Sequence, residues 1–259
     1  MKTRILASTM LIPFFVCVFF GGVALKIAVV LLAAVGLDEF YKAMEHAGHK
    51  PSRVIGFGSL AVLAIGHVIL NGFNPVFVMF WVIAVLMLSL VYGFDIDGTG
   101  ITDSFGTLFG VLYVVLLFYQ LVLIDESSRP VFIWLVFLTA YGADTMAYFT
   151  GYAIGKHKLC PKLSPKKTVE GAIGGVLGSV IFNMIFCLVV LKEFPWYIIV
   201  FSVAGAVLSQ IGDLAASSIK RKVDIKDYGK IMPGHGGVLD RFDSVIFVAP
   251  ALYLLMQFI

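Results

Sequence analysis

The chain has 259 residues, 60% of them hydrophobic and only 14% charged, with a formal net charge of +3. Soluble domains carry about 45–50% apolar and roughly 25% charged residues, so a water-soluble globular fold is excluded and the bilayer is the solvent for most side chains. The modest positive balance gives no reason to expect nucleic acid as a partner, and Cys17, Cys160 and Cys187 fall at no metal-ligand or disulfide spacing, reading instead as small apolar residues.

A membrane helix needs about 20 mostly apolar residues, and nine candidate spans follow one another along the chain. The first, 5–20, is short. Lys2 and Arg4 precede it as in a signal peptide, but the apolar pattern resumes at once through Leu37, so the segment is read as retained. With the second span, 23–41, it forms a hairpin that either crosses or dips. Spans at 54–71 and 75–92 are divided by Asn71-Gly72-Phe73-Asn74-Pro75. Before the fifth span, 104–123, Asp95-Ile96-Asp97-Gly98-Thr99 resembles the nucleophile motif of haloacid-dehalogenase-type phosphatases. There the aspartates end a strand of a soluble α/β core, whereas here they lie in a short loop between membrane helices, so that reading is set aside.

The sixth span, 131–153, carries Asp144. A lysine-rich loop from Lys156 to Thr168 leads to the seventh, 169–191, where Gly171, Gly174, Gly175 and Gly178 form two overlapping Gly-x-x-x-Gly pairs. These suit close helix packing or a smooth wall for a lipid tail. The eighth, 196–219, carries Asp213, and Asp240 and Asp243 open the ninth, 241–258.

Nine spans put the N-terminus and the loops after even-numbered spans on one side. Of the 19 basic residues, only Lys26, Arg129 and Lys192 fall on the other, so the side with sixteen is read as cytoplasmic. No repeat or long linker interrupts the pattern. The expected fold is all-α: a single integral membrane domain over 1–259 with about nine transmembrane helices and a polar active site facing the cytoplasm.

Ionisable groups within a membrane are costly and mark function. Asp213 and Asp240 are expected to meet near the cytoplasmic surface, with Asp144 nearby or deeper. Asp240 and Asp243 (i,i+3) are expected to share one helix face, and Asp213, Ser217 and Lys220 (i,i+4,i+7) another. Converging carboxylates repel unless cations hold them, and carboxylates that keep some water and share a ligand's phosphates suit Mg²⁺. The plain alternative is a set of Asp–Lys/Arg pairs fixing helix ends. Ser164-Pro165 and Thr168 offer N-cap and N1 chemistry beside Lys166 and Lys167, which makes an anion site. Gly234, Gly236 and Gly237 let backbone N–H groups approach a phosphate. The ensemble suggests phosphoryl or nucleotidyl transfer to a lipid.

Ser217-Ser218-Ile219-Lys220-Arg221, Lys226-Asp227-Tyr228-Gly229 and the run from Met232 to Asp243 together resemble the signature of the phosphatidate cytidylyltransferase (CDP-diacylglycerol synthase) family over 27 residues. Met232 departs mildly, standing where that family usually has Leu, Ile or Phe. The resemblance extends to Asp144-Thr145-Met146-Ala147-Tyr148, Ser164 to Gly171, and Glu39-Phe40, and is densest over 140–245. It implies transfer of CMP from CTP to phosphatidate, giving CDP-diacylglycerol and pyrophosphate, in a homodimeric protein of a bacterial inner membrane. The implied cofactor is Mg²⁺, with K⁺ as an optional companion, held by Asp213 and Asp240. The catalytic set is Asp144, Lys167, Asp213, Lys220, Arg221, Lys226, Asp227, His235, Asp240, Arg241 and Asp243; Ser164, Lys166, Lys167, Thr168, Gly236 and Gly237 bind the phosphates. A CDP-alcohol phosphotransferase is disfavoured because its Asp-x-x-Asp-Gly-x-x-Ala-Arg motif is absent. A transporter would place its carboxylates near the midplane rather than crowd one surface.

Overall fold

A computed structural model describes residues 11–95, 98–193, 195–232, 234 and 236–259. They are predominantly helical: α1 (Ile12–Phe20), α2 (Gly22–His46), α3 (Arg53–Ile69), α4 (Pro75–Tyr92), α5 (Ile101–Asp125) and α6 (Pro130–Ile154) precede two short strands. These are β1 (Lys158–Cys160) and β2 (Ser164–Thr168), followed by α7 (Val169–Leu191), α8 (Trp196–Lys222), α9 (Leu239–Phe242) and α10 (Val245–Met256). The helices begin where the punctuation predicts. Ser52 accepts from the Ile55 N–H at 3.4 Å and Asn74 from the Phe77 N–H at 3.0 Å, with Pro75 in the first turn.

Among the described residues, five helices are long and apolar enough to cross a membrane: α4, α5, α6, α7 and α8. The other predicted spans fall short for identifiable reasons. At 1.5 Å per residue, the 17 residues of α3 reach about 26 Å and the 12 of α10 about 18 Å, against a hydrocarbon core of about 30 Å. The 25-residue α2 is long enough but carries Lys26, Asp38, Glu39 and Lys42. Residues 1–10 of the first predicted span lie outside the described residues. Large apolar side chains such as Val76, Phe80, Met87 and Val91 stand exposed along α4, as a lipid-facing surface requires.

The chain divides into two compact units. The first contains the residues up to Glu126 and the returning segment Val223–Asp240. Its core is apolar, with Leu25, Leu37, Phe40, Phe118 and Ile124 fully buried. Two of the buried polar side chains in it bond backbone carbonyls: the Tyr41 hydroxyl donates to that of Thr107 at 3.0 Å and Trp81 Nε1 to that of Ser59 at 2.9 Å. Arg53 joins α3 to α2 through Asp38 and Glu45.

The second unit comprises Ser127–Lys222 and Arg241–Ile259. Here α7 lies directly on α6, and its glycines make the contact. A Cβ on Gly171 would sit 2.7 Å from the Ala147 carbonyl oxygen, and one on Gly175 would sit 2.8 Å from that of Ala143. Close packing is therefore a role of the small-residue stripe. Deeper in, Asn183 Nδ2 donates to Thr139 Oγ1 at 2.7 Å and to Ser202 Oγ at 2.8 Å, tying α6, α7 and α8 together through uncharged groups.

Candidate active site

In the second unit, the end of α6, the β1–β2 hairpin, the start of α7 and the later turns of α8 enclose a cavity of about 510 Å³. The segment after α6 reads in the sequence as a lysine-rich loop. It is instead an antiparallel pair, with Lys158 opposite Thr168 and Cys160 opposite Ser164. Glu170, in the first turn of α7, fastens its entry by accepting from the Lys156 N–H at 3.1 Å and pairing with His157 Nδ1 at 2.6 Å. Thr168 caps α7 as expected, accepting from the Gly171 N–H at 3.1 Å. Ser164 and Pro165 do not share that role, because β2 runs on to Thr168 before the helix starts.

The cavity brings together Asp144, Lys158, Lys166, Lys167, Thr168 and Asp213. Asp213 sits on α8 with Ser217 one turn on, whose hydroxyl donates to Oδ1 at 3.4 Å. Lys167 reaches across from β2, and its Nζ lies 2.6 Å from Asp213 Oδ2. The Lys167 nitrogen is shielded from solvent, and Asp213 is the partner it pairs with there. Lys220, on the same α8 face as Asp213, is buried.

Gly212 brings a further carboxylate close. A Cβ there would lie 2.6 Å from the Asp243 carbonyl oxygen and 2.9 Å from the Phe247 ring, so only glycine lets this approach occur. Asp243 is buried, and Asp144, Asp213 and Asp243 lie within electrostatic reach of one another. The repulsion among them is offset by Lys167 and Arg241 on the Asp144 side and by Lys220 on the Asp243 side. The Tyr141 hydroxyl donates to the Arg241 carbonyl at 3.3 Å. Arg221 is exposed in the last turn of α8.

The remaining site candidates belong to the first unit. Asp240 turns one oxygen inward: Oδ2 accepts from the Tyr228 N–H at 2.7 Å and the Gly237 N–H at 2.9 Å. The Met232 N–H donates to the Gly236 carbonyl at 2.9 Å, closing a turn in which Gly234 and Gly236 take positive φ of 77° and 84°. Lys226 and Asp227 are exposed on this segment, and His235 lies outside the described residues. Asp240 lies in α9, which ends at Phe242, and Asp243 follows it in a turn before α10. Asp243 Oδ1 accepts from the Ser244 N–H at 2.7 Å, a local bond that competes with the helix and interrupts it.

One residue escaped the site prediction altogether. Glu39, in α2, is only 3% exposed, and its two oxygens accept from the Val238 and Leu239 N–H groups. The signal that could have found it is its place as an ionisable group inside a predicted span.

Among the described residues no three His, Cys, Asp or Glu side chains are grouped to hold a metal ion by themselves. The donors present suit a different arrangement. Asp213 offers a half-exposed carboxylate on the cavity, and Mg²⁺ is usually bound by one or two carboxylates, with water and substrate phosphates completing its shell. The residues therefore fit Mg²⁺ shared with a phosphorylated ligand. In the Asp95 turn Oδ1 accepts from the Gly98 N–H at 3.1 Å, while Ile96 and Asp97 lie outside the described residues.

A family model described as the cytidylyltransferase family matches residues 2–259. The chain belongs to that family. Among its curated relatives in the cytidylyltransferase family, the phosphatidate cytidylyltransferase of Bacillus subtilis (strain 168) is 32% identical over 175 residues. That match covers 66% of this chain and 65% of the relative. The protein of the same name from Staphylococcus saprophyticus is 34% identical over 128 residues, 48% of each chain. The one from Brucella abortus biovar 1 (strain 9-941) is 34% identical over 130 residues, 50% of this chain and 48% of the relative. The chain thus spans about half to just under two thirds of the length of these relatives.

Proposed function

We propose that the chain is a phosphatidate cytidylyltransferase, a membrane nucleotidyltransferase of phospholipid biosynthesis that takes CTP and phosphatidate to CDP-diacylglycerol and pyrophosphate. The observation that carries this reading is the Lys167 ammonium, which pairs with Asp213 in a lysine-lined cavity. An ammonium has three N–H donors, so it can hold Asp213 and a phosphate oxygen of the incoming ligand together. The curated relatives' names supply the substrates.

A phosphate monoester has a second pKa of about 6, so phosphatidate is largely dianionic at neutral pH and needs no strong base. Its phosphate oxygen attacks the α-phosphorus of CTP, and the bond from that phosphorus to the bridging oxygen breaks as pyrophosphate departs. The difficulty is bringing two polyanions together. Lys158, Lys166 and Lys167 neutralise and orient them, and Thr168 fixes the start of α7 against the cavity. Lys220, Arg221 and Arg241 add to the basic residues of the second unit, and Lys226, Asp227 and the Gly236-Gly237 turn are the further proposed participants from the first. His235 shapes that turn or bonds phosphate. Asp213 and Asp240 are the proposed holders of Mg²⁺, with or without K⁺, which when bound supplies charge neutralisation at the phosphates.

The proposed setting is a homodimer in a bacterial inner membrane, spanning about nine times with the cavity toward the cytoplasm. The one-sided distribution of basic residues supports that orientation. The test is direct. Purified protein in mixed micelles, given labelled CTP, phosphatidate and Mg²⁺, should release pyrophosphate and form CDP-diacylglycerol in equal amounts. Absence of both products across a range of Mg²⁺ concentrations would remove the assignment.

A further inference from the structure

Burying a carboxylate in the apolar interior of a membrane protein is costly, yet Glu39 has both oxygens committed to one stretch of backbone. Oε1 accepts from the Val238 N–H at 3.0 Å and Oε2 from the Leu239 N–H at 2.9 Å, across 199 and 200 residues of sequence. Space has been cleared for it on two sides: a Cβ on Gly229 or Gly237 would overlap the Glu39 carboxylate. The same turn is gripped from its other side by Asp240, whose Oδ2 takes the next amide back, that of Gly237, together with that of Tyr228. A Cβ on Gly236 would sit 2.7 Å from that oxygen. Three consecutive backbone donors, 237 to 239, are thereby divided between two carboxylates. A carboxylate presents acceptors at both of its oxygens, whereas an amide turns a donor toward one of the two positions.

We propose that Glu39 is a positioning residue that fixes the turn carrying Asp240, so that the Asp240 carboxylate is held at a set direction for the metal-dependent step. This deepens the functional reading above and rests on it. The plain alternative is a tie that only stabilises the fold, and the two differ in how the enzyme responds to Mg²⁺. Glu39→Gln keeps the shape and loses one acceptor; Glu39→Ala loses both.

The full chain in lipid nanodiscs is followed by amide hydrogen exchange and by Mg²⁺ titration of CTP turnover. Glu39→Gln should speed exchange at least tenfold across 236–243 and leave 101–125 unchanged. It should also lower kcat about tenfold and raise the Mg²⁺ needed for half-activation several-fold, with Glu39→Ala stronger in every respect. Normal Mg²⁺ response and kcat in Glu39→Gln, even with a lowered unfolding temperature, would overturn the positioning role. If the wild-type protein has no turnover, the functional reading fails by itself and exchange alone decides whether Glu39 holds the Asp240 turn: faster exchange across 236–243 supports that hold, and unchanged exchange overturns it.

Discussion

Gly171→Ala is the sharpest test of how the cavity is built. The added Cβ would lie 2.7 Å from the Ala147 carbonyl oxygen and 2.9 Å from Thr168 Oγ1, where ordinary contact begins at 3.4 Å. Neither neighbour can swing away, since one is α6 backbone and the other is the capping group of α7. The two helices must separate by roughly 0.7 Å at the cavity wall. Overpacking of this kind costs about 1–3 kcal/mol, offset in part by the ~1 kcal/mol that alanine gains over glycine inside a helix, leaving a net loss on the order of 1 kcal/mol. Activity should suffer more, because a misplacement of about 1 Å can cost 10²-fold in rate; kcat should fall by roughly ten- to a hundredfold. Gly58→Ala is the control. Gly58 lies inside α3 with nothing within 4 Å of its built Cβ, so it should gain about 0.5–1 kcal/mol and leave turnover alone. Thermal unfolding in detergent and labelled-CTP turnover measure both quantities. Unchanged unfolding and unchanged kcat in Gly171→Ala would refute the close-packing argument.

Asp213→Asn should remain membrane-inserted and lose about 10²-fold or more in kcat, since a metal clamp is worth several kcal/mol; near-normal turnover would remove Asp213 from the metal site. Lys167→Ala should raise KM for CTP or phosphatidate and lower kcat, with Lys167→Arg recovering part of the loss. Lys50→Ala should behave almost as wild type, because the bonds at position 50 to Asp103 and Tyr92 are made by backbone atoms; equal small effects at Lys167 and Lys50 would reduce both to general surface charge. Single cysteines at Lys162 and Asp224, in a background without Cys17, Cys160 and Cys187, should resist a membrane-impermeant reagent in intact cells until permeabilisation. Labelling from outside would invert the topology.

The features legible in the sequence are those written locally. Apolar runs and their Asn, Pro and Gly boundaries gave the helical segments, and Thr168 before Val169 gave the cap of α7. The grouping of Asp144, Lys166, Lys167 and Asp213 followed from placing each at one end of its span. What escaped depends on partners distant in the chain or on short-range competition. β1 and β2 consist largely of Lys, Ser, Pro and Thr with no apolar alternation, and the clamp from Glu170 to His157 closes the hairpin instead. The break at Asp243-Ser244 arises from a side chain bonding its neighbour's amide. Length decides the shortfall of α3 and α10, because a run of hydrophobic residues states polarity but not where the helix will stop, and charge decides that of α2.

The first unit is discontinuous in the chain, and this has a consequence for its birth. A ribosome adding about 5–20 residues per second delivers Glu39 roughly 10–40 s before it delivers Val238 and Leu239, the groups that will satisfy it. For that interval the nascent α2 carries a carboxylate awaiting its intended donors, and the last piece of the first unit, Val223–Asp240, must be threaded home after the intervening α6, α7 and α8 have been synthesised. A chain arrested before residue 223 would therefore hold nearly all the helices of the first unit and still be unable to finish it, so that assembly of this unit is a late event in translation although most of its residues come first.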